Sequence, residues 1–219
     1  MEIEGVVFDL DGVLIDSEPI WNGVRREFVL SHGGRWRDGA DRQMMGMSTS
    51  EWARFLHDEL GVELPAPEIA EQVVSEMSTR IAGDPPLRPG AVEAVERVAK
   101  RWRLGLASSS PARLIEHTLD AAGLAALFGV TLSTEEVGKG KPAPDVYLEV
   151  ARRLRARPER CTAIEDSTNG LRAARAAGMR VVAVPTETYP PDPAELERAD
   201  AVIDTLHDLT YGVIDPTLS

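Results

Sequence analysis

The sequence predicts an α/β protein: a doubly wound parallel sheet with a small helical cap inserted after its first strand. Three observations lead there. Short continuous apolar runs recur along the chain, amphipathic helical patterns separate them, and one long stretch without strands interrupts the alternation. Apolar runs bounded by turn residues read as buried parallel strands. They lie at residues 3–8, 104–107, 130–132, 161–164 and 181–184, with a weaker sixth at 201–203.

The helical patterns fill the gaps. Residues 91–101 place Val92, Val95 and Val98 at three-residue steps, and 112–122 set Leu114, Ile115, Thr118, Leu119 and Ala122 on one face. Residues 144–155 carry Val146, Tyr147, Val150 and Leu154, and 171–177 stop at Gly178, a residue suited to a helix C-cap. Strands alternating with helices of this length argue for a Rossmann-like, doubly wound core. The interruption runs from Asp16 to Pro86, with helical patterns at 18–31, 50–60 and 67–81. A Pro/Gly-rich return, Gly83-Asp84-Pro85-Pro86-Leu87-Arg88-Pro89-Gly90, marks its end. The expected division is therefore a core of residues 1–15 and 88–219 and a cap of residues 16–87. The segment after Asp204 carries no clear pattern.

The 219 residues are 43% hydrophobic and 27% charged, an ordinary globular balance with enough apolar material for a core. Lys and Arg number 24 against 36 Asp and Glu, a formal charge of −12. That sign argues against nucleic acid as a partner, because a phosphate backbone requires a positive footprint. An anionic substrate would need a site that reverses the local sign with a cation and a few Lys or Arg side chains. Cys161 is the sole cysteine, which excludes an internal disulfide and agrees with a reducing compartment. Met1-Glu2-Ile3-Glu4 lacks the basic start of a signal peptide, and no segment approaches the ~20 apolar residues of a membrane span. The expectation is a cytoplasmic protein with no membrane partner, acting as a monomer or small homo-oligomer.

In open parallel sheets, ligands bind beyond the carboxyl ends of the strands. Asp9 and Asp11 follow the first predicted strand, Ser108-Ser109-Ser110 the second, Lys139 and Lys141 the third, and Glu165-Asp166-Ser167 the fourth. Scattered polar residues would not track strand ends in this way. Asp9 and Asp11, two residues apart, leave the strand end on one side. Carboxylates held that close repel, so one protonates or both share a cation. With Asp166 they form an oxygen-rich set suited to Mg²⁺. Either aspartate alone would read as a solvated loop residue; the pair before Gly12, with Glu165-Asp166 after another strand, does not.

Ser108 ends an apolar run just before a helix that Pro111 can open, where a hydroxyl and backbone N–H groups can hold a phosphate oxygen. Ser109 is the adjoining phosphate-binding candidate, and for it and Ser110 simple capping is an equal reading. Lys141 stands in a loop stiffened by Pro142 and Pro144, where it can act as a fixed charge for a phosphoryl group. Lys139, between glycines, reads as a surface residue. His32, His57, His117 and His207 show no metal-ligand spacing, and Cys161 reads as packing. Neither a Gly-x-Ser-x-Gly elbow nor a Gly-x-x-x-x-Gly-Lys-[Ser/Thr] phosphate loop occurs.

Asp9-Leu10-Asp11-Gly12-Val13-Leu14, the run ending in Ser108, Lys141-Pro142-Ala143-Pro144-Asp145 and Glu165-Asp166-Ser167 together resemble the four motifs of the haloacid dehalogenase-like superfamily, in its order. Asp16-Ser17-Glu18-Pro19 is similar to the opening of the cap in the β-phosphoglucomutase-like and sugar-phosphate phosphatase group. The resemblance implies that Asp9 attacks phosphorus to form an aspartyl-phosphate, and that Asp11 protonates the leaving group and then activates water. It implies Mg²⁺ held by Asp9, the Asp11 backbone carbonyl and Asp166, with Glu165 supporting. Ser108 and Lys141 would bind the phosphoryl oxygens. Superfamily dehalogenases lack the second aspartate, so Asp11 points to phosphate esters.

The implied activity is a Mg²⁺-dependent phosphatase acting on a small phosphorylated metabolite, a sugar phosphate in kind. The alternatives are a β-phosphoglucomutase-like mutase and a non-catalytic phosphate-sensing protein; the intact motif set speaks against the latter. Counting from the first motif, the mutase's cap histidine falls at Trp21, its cap arginine at Thr49 and a core lysine at Pro111. Losing these cations favours water as final acceptor. Trp21, Asn22, Arg25, Met44 and Met47 are the cap residues expected to face substrate, with packing of the cap's own core as the competing reading.

Overall fold

The first strand, β1 (Gly5–Phe8), is short and wholly buried, and the rest of the sheet is built outward from it. Its alternating side chains explain the layering: Val6 and Phe8 enter one apolar cluster, and Val7 enters the other. A computed structural model describes residues 2–44 and 47–218, with residues 82 and 83 described as backbone. Met45 and Gly46 of the cap segment lie outside the described residues.

Six parallel strands run in the order β3-β2-β1-β4-β5-β6, with β2 (Arg103–Ser108), β3 (Phe128–Ser133), β4 (Cys161–Glu165), β5 (Arg180–Ala183) and β6 (Ala201–Val202). The chain steps from β1 outward to β3, then returns across β1 to begin β4. That reversal leaves a crevice between the carboxyl ends of β1 and β4, the usual ligand position in such sheets. The helices α5 (Ala91–Ala99) and α6 (Ala112–Ala121) cover one face; α7 (Asp145–Leu154) and α8 (Thr168–Ala176) cover the other. Burying each large apolar side chain contributes about 1.5–3 kcal/mol, which is why a sheet covered on both faces reads as continuous apolar runs.

Among the described residues, four helices stand between β1 and α5: α1 (Glu18–Ser31), α2 (Ala40–Met44), α3 (Thr49–Asp58) and α4 (Ala66–Gly83). Pro19 lies in the first turn of α1, where a missing N–H costs nothing. Before α3, Glu51 accepts the Ser48 backbone N–H at 2.8 Å, one half of a capping box. α4 packs on α1 and α3 and also on α6 of the sheet's own layer. The chain segments that enter and leave this helical unit pair with each other: Asp16 N–H donates to Pro86 O (2.8 Å) and Arg88 N–H to Leu14 O (2.9 Å).

The sequence pattern misses α2, because five residues are too few to display a helical period. It also gives no hint of α10 (Tyr211–Ile214), whose Ile214 is buried and whose Ile214 carbonyl accepts from Thr162 Oγ1 of β4. A four-residue helix, α9 (Pro193–Leu196), precedes β6. No described helix is long and apolar enough to cross a membrane.

Candidate active site

Asp9 follows β1 directly, and its N–H donates to Ile164 O at 3.0 Å, extending the β1–β4 ladder one residue. This brings Asp9 beside Glu165 and Asp166 at the crevice. Lys141, from the loop before α7, reaches in with Nζ 2.8 Å from Asp9 Oδ1, 2.6 Å from Glu165 Oε1 and 3.1 Å from Ala107 O. Glu165 is wholly buried and also accepts from Tyr147 OH (2.8 Å), Asp166 N–H (3.0 Å), Ser167 N–H (3.1 Å) and Ser167 Oγ (3.1 Å). Gly170 in α8 permits this approach, since a Cβ there would overlap the Glu165 carboxylate.

Asp9, Glu165 and Asp166 each present an oxygen within 4.8 Å of the others, against one ammonium. Burial pushes the Asp9 carboxyl up to about 8; the Lys141 charge opposes it, while Glu165 and Asp11 add to it. Burial, then Glu165 and Asp9, drive Asp166 well above the carboxylate range. For Glu165 burial also pushes upward, but the charge and hydrogen bonds of Lys141, Tyr147 and Ser167 outweigh it and hold it below its usual value. Lys141 is raised far above its ordinary range because Asp9 and Glu165 outweigh its burial. Three carboxyls placed around one ammonium cannot all ionise without a further cation. Asp166 Oδ1 is buried with no hydrogen-bond partner. Gly12, at φ 82°, lies against the same carboxylate, and a Cβ there would overlap Asp166 Oδ2. An orphaned oxygen and an all-carboxylate donor set fit a hard metal ion.

Asp11 sits differently. Its Oδ1 accepts from Ser17 Oγ (2.5 Å), and its Oδ2 from Ser110 Oγ (2.7 Å) and Ser108 Oγ (3.2 Å). Its side chain is not among the three carboxylates close enough to share an ion. The Ser108 placement differs from expectation. Ser108 is fully buried, its hydroxyl faces Asp11 and accepts the Ser110 N–H at 2.9 Å, and it does not line the cavity. The hydroxyl at the strand end turns inward because Asp11 supplies an acceptor there. Ser109 and Ser110 line the cavity instead.

That cavity, about 330 Å³, lies between the sheet end and the helices α1–α3. Asp9, Asp11, Lys141 and Asp166 form its floor, and Trp21, Met44, Met47 and Trp52 its roof. Arg25, Thr49 and Pro111 also line it. Asn22 does not. One residue on from Trp21, its side chain turns about 100° around the helix axis and donates from Nδ2 to Tyr189 OH at 3.1 Å. Tyr189 OH in turn donates to Asp41 Oδ2 at 3.3 Å, joining α1, α2 and the loop after β5. Asn22 is therefore a link between cap and core, outside the cavity.

Four features went unread in the sequence: Ser17 and Ser110 as partners of Asp11, Tyr147 on Glu165, and the wall at Thr186 and Tyr189. Thr186 follows the fifth strand as Asp9 follows the first, so its signal is its place beyond a strand end. Tyr147 gave no signal, because its position on the apolar face of α7 is also that of an ordinary core residue.

The haloacid dehalogenase-like hydrolase family matches residues 3–178. Hexitol phosphatase B of Escherichia coli K12 is 33% identical over 214 residues, 95% of each chain. A phosphorylated carbohydrates phosphatase of Thermotoga maritima is 34% identical over 178 residues, 81% of this chain and 82% of its own. Among solved structures, CbbY from Rhodobacter sphaeroides in complex with phosphate superposes with a TM-score of 0.87 at 30% identity, covering 97% of this chain and 99% of its own.

Proposed function

The chain belongs to the haloacid dehalogenase-like hydrolases and is a phosphoric monoester hydrolase; from that premise we propose that it is a Mg²⁺-dependent phosphatase of sugar phosphates working through an aspartyl-phosphate. One observation carries the mechanism. Asp9 and Asp11, two residues apart, have opposite surroundings: Asp9 lies on the Lys141 ammonium, and Asp11 lies among three hydroxyls. Environments that separate two neighbouring carboxyls in this way mark a division of labour.

In this reading the Asp9 carboxylate attacks phosphorus and the leaving alkoxide departs on the opposite side. Asp11 gives that alkoxide its proton, then takes one from the water that cleaves the phosphoaspartate. Lys141, fixed by Glu165, and Ser109 at the cavity wall hold the phosphoryl oxygens; Ser108, buried behind Asp11, serves Asp11. Asp9, Asp166 and the Asp11 carbonyl would hold Mg²⁺, with Glu165 supporting. The ion would supply charge neutralisation between nucleophile and phosphoryl group.

Water as final acceptor is supported by Trp21, Thr49 and Pro111. These occupy the positions that the mutase resemblance gives to cations, and all three line the cavity. The test is release of inorganic phosphate from a panel of phosphorylated metabolites with Mg²⁺, lost on chelation and restored by the ion. Conversion of β-glucose 1-phosphate to glucose 6-phosphate without free phosphate would overturn the hydrolytic reading.

A further inference from the structure

Among the described residues, two cations line the cavity: Lys141 at the floor and Arg25 in the roof. Lys141 is committed to Asp9 and Glu165. Arg25 has no such partner. It is only 7% exposed, and its Nε is buried without a hydrogen bond; among the described residues no carboxylate pairs with its guanidinium. What holds it is aromatic: its Cζ lies 4.5 Å from the Trp21 ring centre and 5.0 Å from that of Trp52. The two rings are 5.9 Å apart and inclined at 58°, which makes a V around the guanidinium. Ring faces fix the plane of a guanidinium but leave its N–H donors free. A buried charged donor left unmatched is costly, so a site that keeps one has an acceptor arriving from outside.

Glu18 stands seven residues earlier on α1, two helical turns away on the same face, and lines the same cavity. Burial raises its carboxyl, and the Arg25 charge pulls the other way, so the two groups sense each other across the roof. Arg25 offers donors only and Glu18 offers acceptors. Hydroxyl groups both donate and accept. A second anionic group would fit poorly, because the Glu18 carboxyl shares the cap side of the cavity with Arg25 and would repel it.

We propose that Arg25 and Glu18 form a cap-side subsite for the hydroxyls of an uncharged carbon chain, so that the substrate is the phosphate monoester of a polyhydroxylated compound with no second anion. This rests on the phosphatase reading and narrows its substrate class. It also assigns Trp21 and Trp52 a role as the clamp that positions Arg25.

Steady-state kinetics with Mg²⁺ on glucitol 6-phosphate, fructose 1,6-bisphosphate and acetyl phosphate test it, for wild type, Arg25→Met and Arg25→Lys. The wild-type enzyme should prefer the polyol monophosphate to the bisphosphate. Arg25→Met should lower the ratio of kcat/KM on glucitol 6-phosphate to that on acetyl phosphate roughly ten- to a hundredfold, the loss of a charged hydrogen-bond donor, mainly through KM. Arg25→Lys keeps the charge but loses the fork, so its ratio should fall between the two. Acetyl phosphate turnover in each preparation reports that the floor of the site is intact. An unchanged ratio in both variants would make Arg25 a packing residue and overturn the inference. A wild-type preference for the bisphosphate that Arg25→Met removes would overturn it in favour of an anion site. Turnover of acetyl phosphate with none of the polyol ester overturns the inference alone, whereas no turnover of any ester overturns the phosphatase reading and this inference together.

Discussion

Glu165 and Arg25 are both buried charges on the same cavity's margins, and they are treated in opposite ways. Glu165, at the end of β4, accepts five hydrogen bonds from four residues and has no exposed surface. Arg25, in α1, is packed between two indole rings, and its Nε makes no hydrogen bond. Glu165 has its hydrogen bonds in place before any ligand arrives, so it holds Lys141 still, and fixed charge is what electrostatic stabilisation of a transition state requires. The roof is left incomplete, because its partner is the molecule to be chosen.

The largest expected effects lie at the floor. Asp9→Asn should lower kcat on the order of 10⁴-fold or more, and full activity would remove Asp9 as nucleophile. Asp11→Asn should cost roughly 10²–10⁴-fold in kcat. It should leave Mg²⁺-dependent thermal stabilisation in place, because the Asp11 side chain is not among the clustered carboxylates. Loss of that stabilisation would move Asp11 into the metal site. Tyr147→Phe removes one of five bonds to Glu165 while keeping the ring. Urea denaturation should show a loss of about 1–3 kcal/mol, and an unchanged midpoint would mean that Glu165 does not need this donor. The smallest effect belongs to the cap–core link. Tyr189→Phe deletes the bonds to Asn22 and Asp41, which should shift KM only a few-fold and stability by about 0.5–1.5 kcal/mol; a hundredfold fall in kcat would give Tyr189 a part in the chemistry.

The floor was more legible in the sequence than the roof, for a physical reason. A parallel sheet delivers its strand ends to one edge, so the apolar runs at 3–8, 104–107, 130–132 and 161–164 are enough to bring Asp9, Ser108, Lys141 and Glu165 to that edge. Which oxygen each side chain meets was not legible. Ser108 turns to Asp11 and Tyr147 to Glu165 through contacts between residues 97 and 18 positions apart. In the cap, neighbours are set by how helices pack, and helical phase alone could not separate Trp21, which faces the cavity, from Asn22, which faces the loop after β5. The sequence places Arg25 among the cap residues expected to face substrate, but its aromatic setting follows only from the placement of Trp52, on a different helix.

The paired segments at Leu14–Asp16 and Pro86–Arg88 have a consequence for how such a protein changes over generations. They are the two covalent routes between the helical unit and the sheet, and they are stapled to each other. Substitutions in α1 or α3 can therefore redraw the roof while the sheet's register, and with it the spacing of Asp9, Lys141 and Glu165, is inherited unaltered. Descent with a new diet requires no new chemistry.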